Sequence, residues 1–170
     1  NSFRQVTRMP MPQKAPFYLV ELINDAVTLI DFGKIKISIN INPEDTLLYA
    51  DKNQLSQVVV NILKNAVEAC RGNDDDKDYL VEVNSYIDTE ERIHLEISNN
   101  GGEISEDLAE NIFTPFFTTK NNGSGIGLAL SRQIIRLHGG TIHLSKNSDD
   151  KVAFMIILES NEVHGEGFHM

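Results

Sequence analysis

The sequence predicts an α/β (α+β) two-layer sandwich, a mixed β-sheet with helices packed on one face. Three observations carry that expectation. The chain has 170 residues, 41% of them hydrophobic, which suits one sizeable core rather than two independent ones. Segments that alternate apolar and polar residues are interleaved with segments whose apolar residues recur every third or fourth position. Several of the alternating segments are joined by short polar turns, the pattern of hairpin-linked strands.

The elements follow in chain order. Residues 1–16 carry Pro10, Pro12 and Pro16 with basic residues and no sustained period, so they read as a connecting segment. "FYLVELINDAVTLI" has helical spacing, "KIKISINI" alternates as a half-buried strand, and "TLLYA" is a second short strand. From Asp51 to about Arg71 the pattern is helical. The polar "GNDDDKD" after it reads as a solvated turn rather than a metal site. "YLVEVNSYI" and "RIHLEIS" are strands joined by "DTEE". The turn-rich "NNGGEISED", a short helix near 105–112 and a loop with Phe113, Phe116 and Phe117 come next. A glycine-rich run, a helix near 125–138 and strands around "GTIHLS" and "VAFMIIL" complete the pattern.

Composition narrows the function. With 25 Asp and Glu against 15 Lys and Arg, nonspecific attraction to nucleic acid or anionic lipid is disfavoured, so an anionic ligand must be held locally. Apolar stretches fall short of a membrane span, and no signal-peptide pattern opens the sequence, so no direct membrane contact is expected. The single cysteine, Cys70, has no disulfide partner in the chain and fits a small buried hydrophobe in a reducing, cytoplasmic setting.

Two features call for a ligand. On the helix from Asp51, a wheel at about 100° per residue puts Leu55, Val59, Ile62, Ala66 and Ala69 on one stripe, with Val58 and Cys70 at its margins. Asn61 and Asn65 lie together just beyond that stripe, where a pocket wall would stand, although asparagine is a mediocre helix former. Self-bonded or exposed amides are the alternative. The second feature is "NNGSGIGLALSRQIIRLHGG", whose Gly123, Gly125 and Gly127 run into a helix N-terminus rich in unpaired N–H groups, a cradle for phosphate. It has neither the dinucleotide spacing nor a P-loop ending, and a ligand-free glycine turn is the alternative.

Four segments in order resemble one family. "NQLSQVVVNILKNAVEA" resembles the N box, "ISNNGGEI" the first glycine box, "IFTPFFTTK" the F box and "GSGIGLALSRQIIRLHGGTI" the second glycine box of histidine protein kinases. Over roughly residues 18–159 the chain resembles the ATP-binding catalytic domain of a two-component sensor kinase, within the superfamily that includes DNA gyrase and Hsp90. The resemblance implies the Bergerat fold and a nucleotide of ATP with Mg²⁺. It divides the chain into a linker or end of a dimerisation helix at 1–16, a catalytic domain at 17–160 and a tail at 161–170.

Position by position, the resemblance implies that Asn65 holds Mg²⁺ through its amide oxygen, a hard neutral ligand. Asn61 stands where the superfamily's ATPases carry a water-activating glutamate. An amide cannot take that proton, which favours a phosphotransferase over a self-contained ATPase. Lys64 is within reach of phosphate or serves solubility. Asn99 occupies the place of the family's adenine-binding aspartate, and Gly101 belongs to the same box. Glu103 replaces a glycine, and Ala153 is set where relatives have a Ser or Thr near adenine. The segment resembling the ATP lid is anchored by its phenylalanines. Thr119 and Lys120, with Thr118, are placed to meet phosphate, and Gly123, Ser124, Gly125, Ile126, Gly127 and Leu128 to supply N–H donors, Ser124 doubling as a helix N-cap. Asn61, Asn65 and Lys120 are the catalytic candidates.

In the family, a neighbouring dimerisation domain presents a histidine to the γ-phosphate. None of His94, His138, His143, His164 or His169 is followed by the acidic residue and proline of that box; His138 reads as a helix-end residue facing the dipole. The expected function is therefore to position Mg-ATP for transfer to a histidine outside this chain. The partners are ATP, the kinase's own dimerisation domain and, through the full-length kinase, a response regulator. Two other functions fit the same fold: a degenerate docking domain without nucleotide, and a serine kinase of the anti-sigma type.

Overall fold

In this computed structural model, residues 9–71, 76–115 and 128–159 are described. They form β1 (Ala15–Tyr18), α1 (Leu19–Thr28), β2 (Lys36–Ile41), β3 (Leu47–Ala50), α2 (Lys52–Cys70), β4 (Leu80–Ile87) and β5 (Arg92–Asn99). After them come α3 (Glu106–Asn111), α4 (Ala129–Leu137), β6 (Thr141–Asn147) and β7 (Val152–Glu159). The main sheet has the order β2-β4-β5-β7-β6. Only the β2–β4 pair is parallel, because the chain crosses between those strands through β3 and α2, whereas β4–β5, β5–β7 and β6–β7 are antiparallel.

Strand alternation decides which side of the sheet the helices cover. Ile93, Leu95 and Ile97 of β5 are buried, as are Val152, Phe154, Ile156 and Leu158 of β7 and Val81 and Val83 of β4. The intervening Arg92, His94 and Glu96 are only partly covered. Helices therefore pack on one face, as the period-two segments require. On α2 the buried set is wider than the expected stripe, because Leu63 and Val67 are buried too. The physical reason is a second neighbour: α1 lies against α2 and buries Leu19, Leu22, Ile23 and Ala26 on its own inward side.

The structure revises the start of the fold. The run from Phe17 was expected to be helical, but Ala15–Tyr18 pairs antiparallel with Leu47–Ala50 as a separate two-stranded sheet, and the helix begins at Leu19. Pro16 is tolerated there because an edge strand has a row of backbone groups without ladder partners. The residues ahead of β1 are tied down as well, since Asp51 Oδ2 accepts the Gln13 N–H at 2.9 Å and Gln54 Nε2 donates to the Pro10 carbonyl at 2.9 Å.

Helix α2 starts at an N-cap: Asp51 Oδ1 accepts the Gln54 N–H at 3.1 Å. The Asp51 N–H donates to His138 Nε2 at 3.0 Å, and His138 Nδ1 donates to the Ile134 carbonyl at 2.8 Å. A backbone N–H can only donate and a carbonyl can only accept, so the ring is the neutral Nδ1–H tautomer. His138, expected as a helix-end residue at the dipole, is the C-cap of α4 and also a buried clamp between the start of α2 and the end of α4. Cys70 is buried, as expected, and burial pushes its thiol pKa up.

Candidate functional site

The inward row of β5 ends on a polar residue. Ile93, Leu95 and Ile97 are followed on the same face by Asn99, which is 7% exposed. Opposite it on α2 stand Ala66 and Ala69, where the rest of the helix presents Leu, Val and Ile. Two small side chains facing a strand end leave the layers unfilled at that point. The result is a cleft of about 400 Å³, its open mouth included, lined by Ile62, Asn65, Ala66 and Ala69 of α2, Ile97 and Asn99 of β5, Val152 and Phe154 of β7, and Gly102 and Ile104 of the loop between. A mostly apolar cleft with two amides suits a flat, largely apolar ring bearing a polar edge.

The loop after β5 is held by asparagines. Asn99 Oδ1 accepts the Gly101 N–H at 2.9 Å. Asn100 Oδ1 accepts the Leu80 N–H at 2.8 Å, and its Nδ2 donates to the Asp78 carbonyl at 3.0 Å. Asn147, at the end of β6, accepts the Ile104 N–H and donates to the Ile104 carbonyl, each at 2.8 Å. Ile104 is thereby fixed against the cleft. Gly101 passes so close to the end of α2 that a Cβ there would overlap the Ala69 carbonyl. Gly102 takes the positive φ, +119°, that a side chain resists. Glu103, which replaces a glycine of the resembled box, is exposed and absent from the cleft lining, and the positive φ falls one residue earlier.

The second asparagine of α2 looks elsewhere. Asn65 lines the cleft, whereas Asn61, Lys64 and Gln57 line an adjoining open groove with Leu130, Ser131 and Ile134 of α4. Asn61 Nδ2 donates to Ser131 Oγ at 3.4 Å. Ser131 is buried in α4, and nothing in its local sequence marks it out. One helical turn thus carries an amide to each of two neighbouring openings.

Several expected site residues need restating. Ala153 was set on the adenine side, but strand alternation turns Val152 and Phe154 into the cleft and leaves Ala153 buried on the other face. Leu128 was expected to offer its N–H to phosphate; that N–H instead donates to the Ile112 carbonyl at 2.9 Å, and the side chain is fully buried. The N-cap of α4 is Leu128, without a side-chain cap. Phe113 and Phe154 meet edge to face with their centroids 6.4 Å apart, and the Arg132 guanidinium lies over the Phe113 ring, 5.5 Å from its centroid. Phe116, Phe117, Thr118, Thr119, Lys120, Gly123, Ser124, Gly125, Ile126 and Gly127 lie outside the described residues. Asn147 and Ser131 are the supporting residues that pattern reading missed.

Comparison with known proteins agrees with this geometry. Residues 50–162 match the family described as histidine kinase-, DNA gyrase B-, and HSP90-like ATPase. The sensory histidine kinase/phosphatase NtrB of Rhizobium meliloti is 33% identical over 94% of this chain and 43% of its own length. The catalytic domain of histidine kinase ThkA superposes with a TM-score of 0.75 at 30% identity, over 87% of this chain and 96% of that one. Histidine kinase ThkA in complex with response regulator protein TrrA gives 0.75 at 27% identity, over 94% of this chain and 45% of that one. The chain spans less than half the length of the curated relatives it matches first. With the sheet order, the cleft between α2 and the sheet and the family match in agreement, the chain belongs to the histidine kinase-, DNA gyrase B- and HSP90-like ATPase family, as an ATP-binding catalytic domain of the sensor histidine kinase type.

Proposed function

We propose that this domain holds Mg-ATP and positions its γ-phosphate for transfer to a histidine on an adjacent dimerisation domain, within a two-component sensor kinase of the cytoplasm. The cleft of Asn65 and Asn99 is the observation that carries the proposal, since it offers a flat apolar slot for a base with amides on two of its walls. Asn65 fits a magnesium ion. The protein's contribution would be its amide oxygen on the cleft wall, a hard neutral ligand of the kind magnesium takes. Magnesium accepts such a site because phosphate oxygens and water complete its shell, and the bound ion neutralises charge on the phosphates.

The remaining residues orient the nucleotide. Asn61 and Lys64, in the groove next to the cleft, are the groups available to the phosphate end, with Thr119, Lys120 and the run from Gly123 to Gly127 completing the phosphate site. Asn61 lacks a base's proton affinity, so water activation has no agent there and transfer by positioning and charge neutralisation is favoured. An acceptor from outside suits the described histidines, of which His138 has both ring nitrogens engaged and His94 faces Asp88 at 2.8 Å. The response regulator in complex with ThkA supports a regulator as the downstream partner.

Titration calorimetry with a non-hydrolysable ATP analogue, with and without Mg²⁺, tests the proposal. Magnesium-dependent binding that Asn65→Ala abolishes, with the fold intact by circular dichroism, is the expected result. A folded protein that binds no nucleotide at millimolar concentration overturns it.

A further inference from the structure

We propose that Asn100–Gly101 is a self-modification site, at which Asn100 deamidates only when the loop after β5 opens, and that the product disables the cleft; the second half rests on the nucleotide-binding reading above. The fold itself demands both members of the pair. Gly101 runs so close to the end of α2 that a Cβ would overlap the Ala69 carbonyl, so no side chain is admitted there. Asn100 bridges the loop to the chain entering β4, where its Oδ1 accepts the Leu80 N–H at 2.8 Å and its Nδ2 donates to the Asp78 carbonyl at 3.0 Å. An amide supplies the acceptor and the donor together, whereas a carboxylate has no proton to give.

An asparagine followed by glycine carries a reaction within itself. The Gly101 nitrogen attacks Asn100 Cγ and forms an N–Cγ bond; the Cγ–Nδ2 bond breaks, and Nδ2 leaves as ammonia with the proton that the Gly101 nitrogen gives up. One water then opens the cyclic imide at either carbonyl, leaving aspartate or isoaspartate. Glycine favours the step because no side chain shields its nitrogen and its dihedrals are freely sampled. In the closed loop the step is blocked, since the Gly101 N–H donates to Asn99 Oδ1 at 2.9 Å and the two Asn100 bonds hold the carboxamide against the start of β4. These bonds must break first, so the rate follows local opening of the loop. The aspartate product turns an oxygen without a proton toward the Asp78 carbonyl. Isoaspartate adds a methylene to the backbone ahead of Gly101, where the approach to Ala69 leaves no slack. Gly102 and Ile104, farther along the same loop, line the cleft, so the change reaches it.

The experiment is peptide mapping by mass spectrometry, resolving asparagine, aspartate and isoaspartate at position 100, on the whole chain incubated at mildly alkaline pH, folded and in urea. Deamidation of Asn100 at least about tenfold slower in the folded chain is the expected result. Equal rates overturn the gating, and no reaction even in urea overturns the site. Asn99→Ala, which removes the acceptor of the Gly101 N–H, is expected to raise the folded-state rate at least about fivefold, while Asn99→Asp, which keeps one, stays within about twofold of wild type. A folded Asn99→Ala protein that reacts no faster overturns the part given to Asn99, and the wild-type comparison decides the gating even if neither variant folds. Wild-type chain modified at Asn100, fractionated by ion exchange, is expected to bind a non-hydrolysable Mg-ATP analogue at least about tenfold more weakly than the unmodified chain. Equal binding overturns the second half of the proposal alone. Failure of the unmodified folded chain to bind overturns that half together with the nucleotide-binding reading, whereas the mapping decides the modification independently.

Discussion

The Asp51 N–H donates to His138 Nε2 at 3.0 Å, joining residues 87 positions apart. The same aspartate caps α2 and accepts the Gln13 N–H, so one residue ties the entry segment, the asparagine-bearing helix and the end of α4 together. The cleft and the adjoining groove are both bounded by α2, and this junction fixes where α2 begins.

Removing the clamp is expected to be costly. His138→Ala removes the partner of the part-buried Asp51 N–H, worth about 1–3 kcal/mol if water does not replace it, whereas the Ile134 carbonyl keeps the backbone N–H of residue 138. A loss of about 1–3 kcal/mol in urea unfolding is predicted, with an unchanged m-value. A loss below about 0.5 kcal/mol would show that the junction is not structural.

Asp51 gives a pH dependence of definite sign. Burial pushes its carboxyl pKa up, but the N–H groups of Gln13, Gln54 and Asn53 outweigh that and hold it below the ordinary carboxylate value. A lowered folded-state pKa contributes stability above the unfolded value of about 3.9, and the contribution is lost as pH falls through the folded value. Asp51→Asn keeps a capping oxygen, so it should be less stable than wild type at pH 7, with the gap closing below about pH 4. Asp51→Ala should cost about 1–2 kcal/mol at pH 7. Thermal melts across pH 2.5–8 check both.

Asn147 links the cleft loop to β6 through two 2.8 Å bonds to Ile104. Asn147→Ala should lower stability by about 1–3 kcal/mol. It should also weaken nucleotide binding, because Ile104 forms part of the cleft lining. Calorimetry and denaturant titration on the same sample separate the two effects.

Gly101→Ala places a methyl against the Ala69 carbonyl at the end of α2. Either the loop or the helix end must shift, at an expected cost of about 1–3 kcal/mol. Gly102→Ala meets no atom within 4 Å, so its cost comes from the φ of +119°. Nucleotide affinity should fall in both variants, and unaltered affinity in both would show that the cleft does not depend on this loop.

Much of this protein was written locally. Helix α2 was expected from Asp51 to about Arg71 and runs from Lys52 to Cys70, because a long apolar stripe and an N-capping aspartate are signals carried by near neighbours in sequence. The alternating strands and the one-sided sandwich follow in the same way, and the four ordered boxes pointed to the family that the comparisons show. β1 was misread because a four-residue strand exists only through its pairing with β3, about 30 residues later. Val152 rather than Ala153 faces the cleft because a period of two turns a one-residue error into the opposite side of the sheet. His138 became a clamp, and Asn61 and Asn65 were sent to different openings, only once α4 was laid beside α2. The sequence by itself determined the elements, the sheet's buried face and the residue types available for nucleotide chemistry, since these depend on periodicity and composition. Tertiary structure alone decided which atoms of those residues remain for a ligand, since a hydrogen bond such as Gly101 to Asn99 commits one end of an amide and leaves the other.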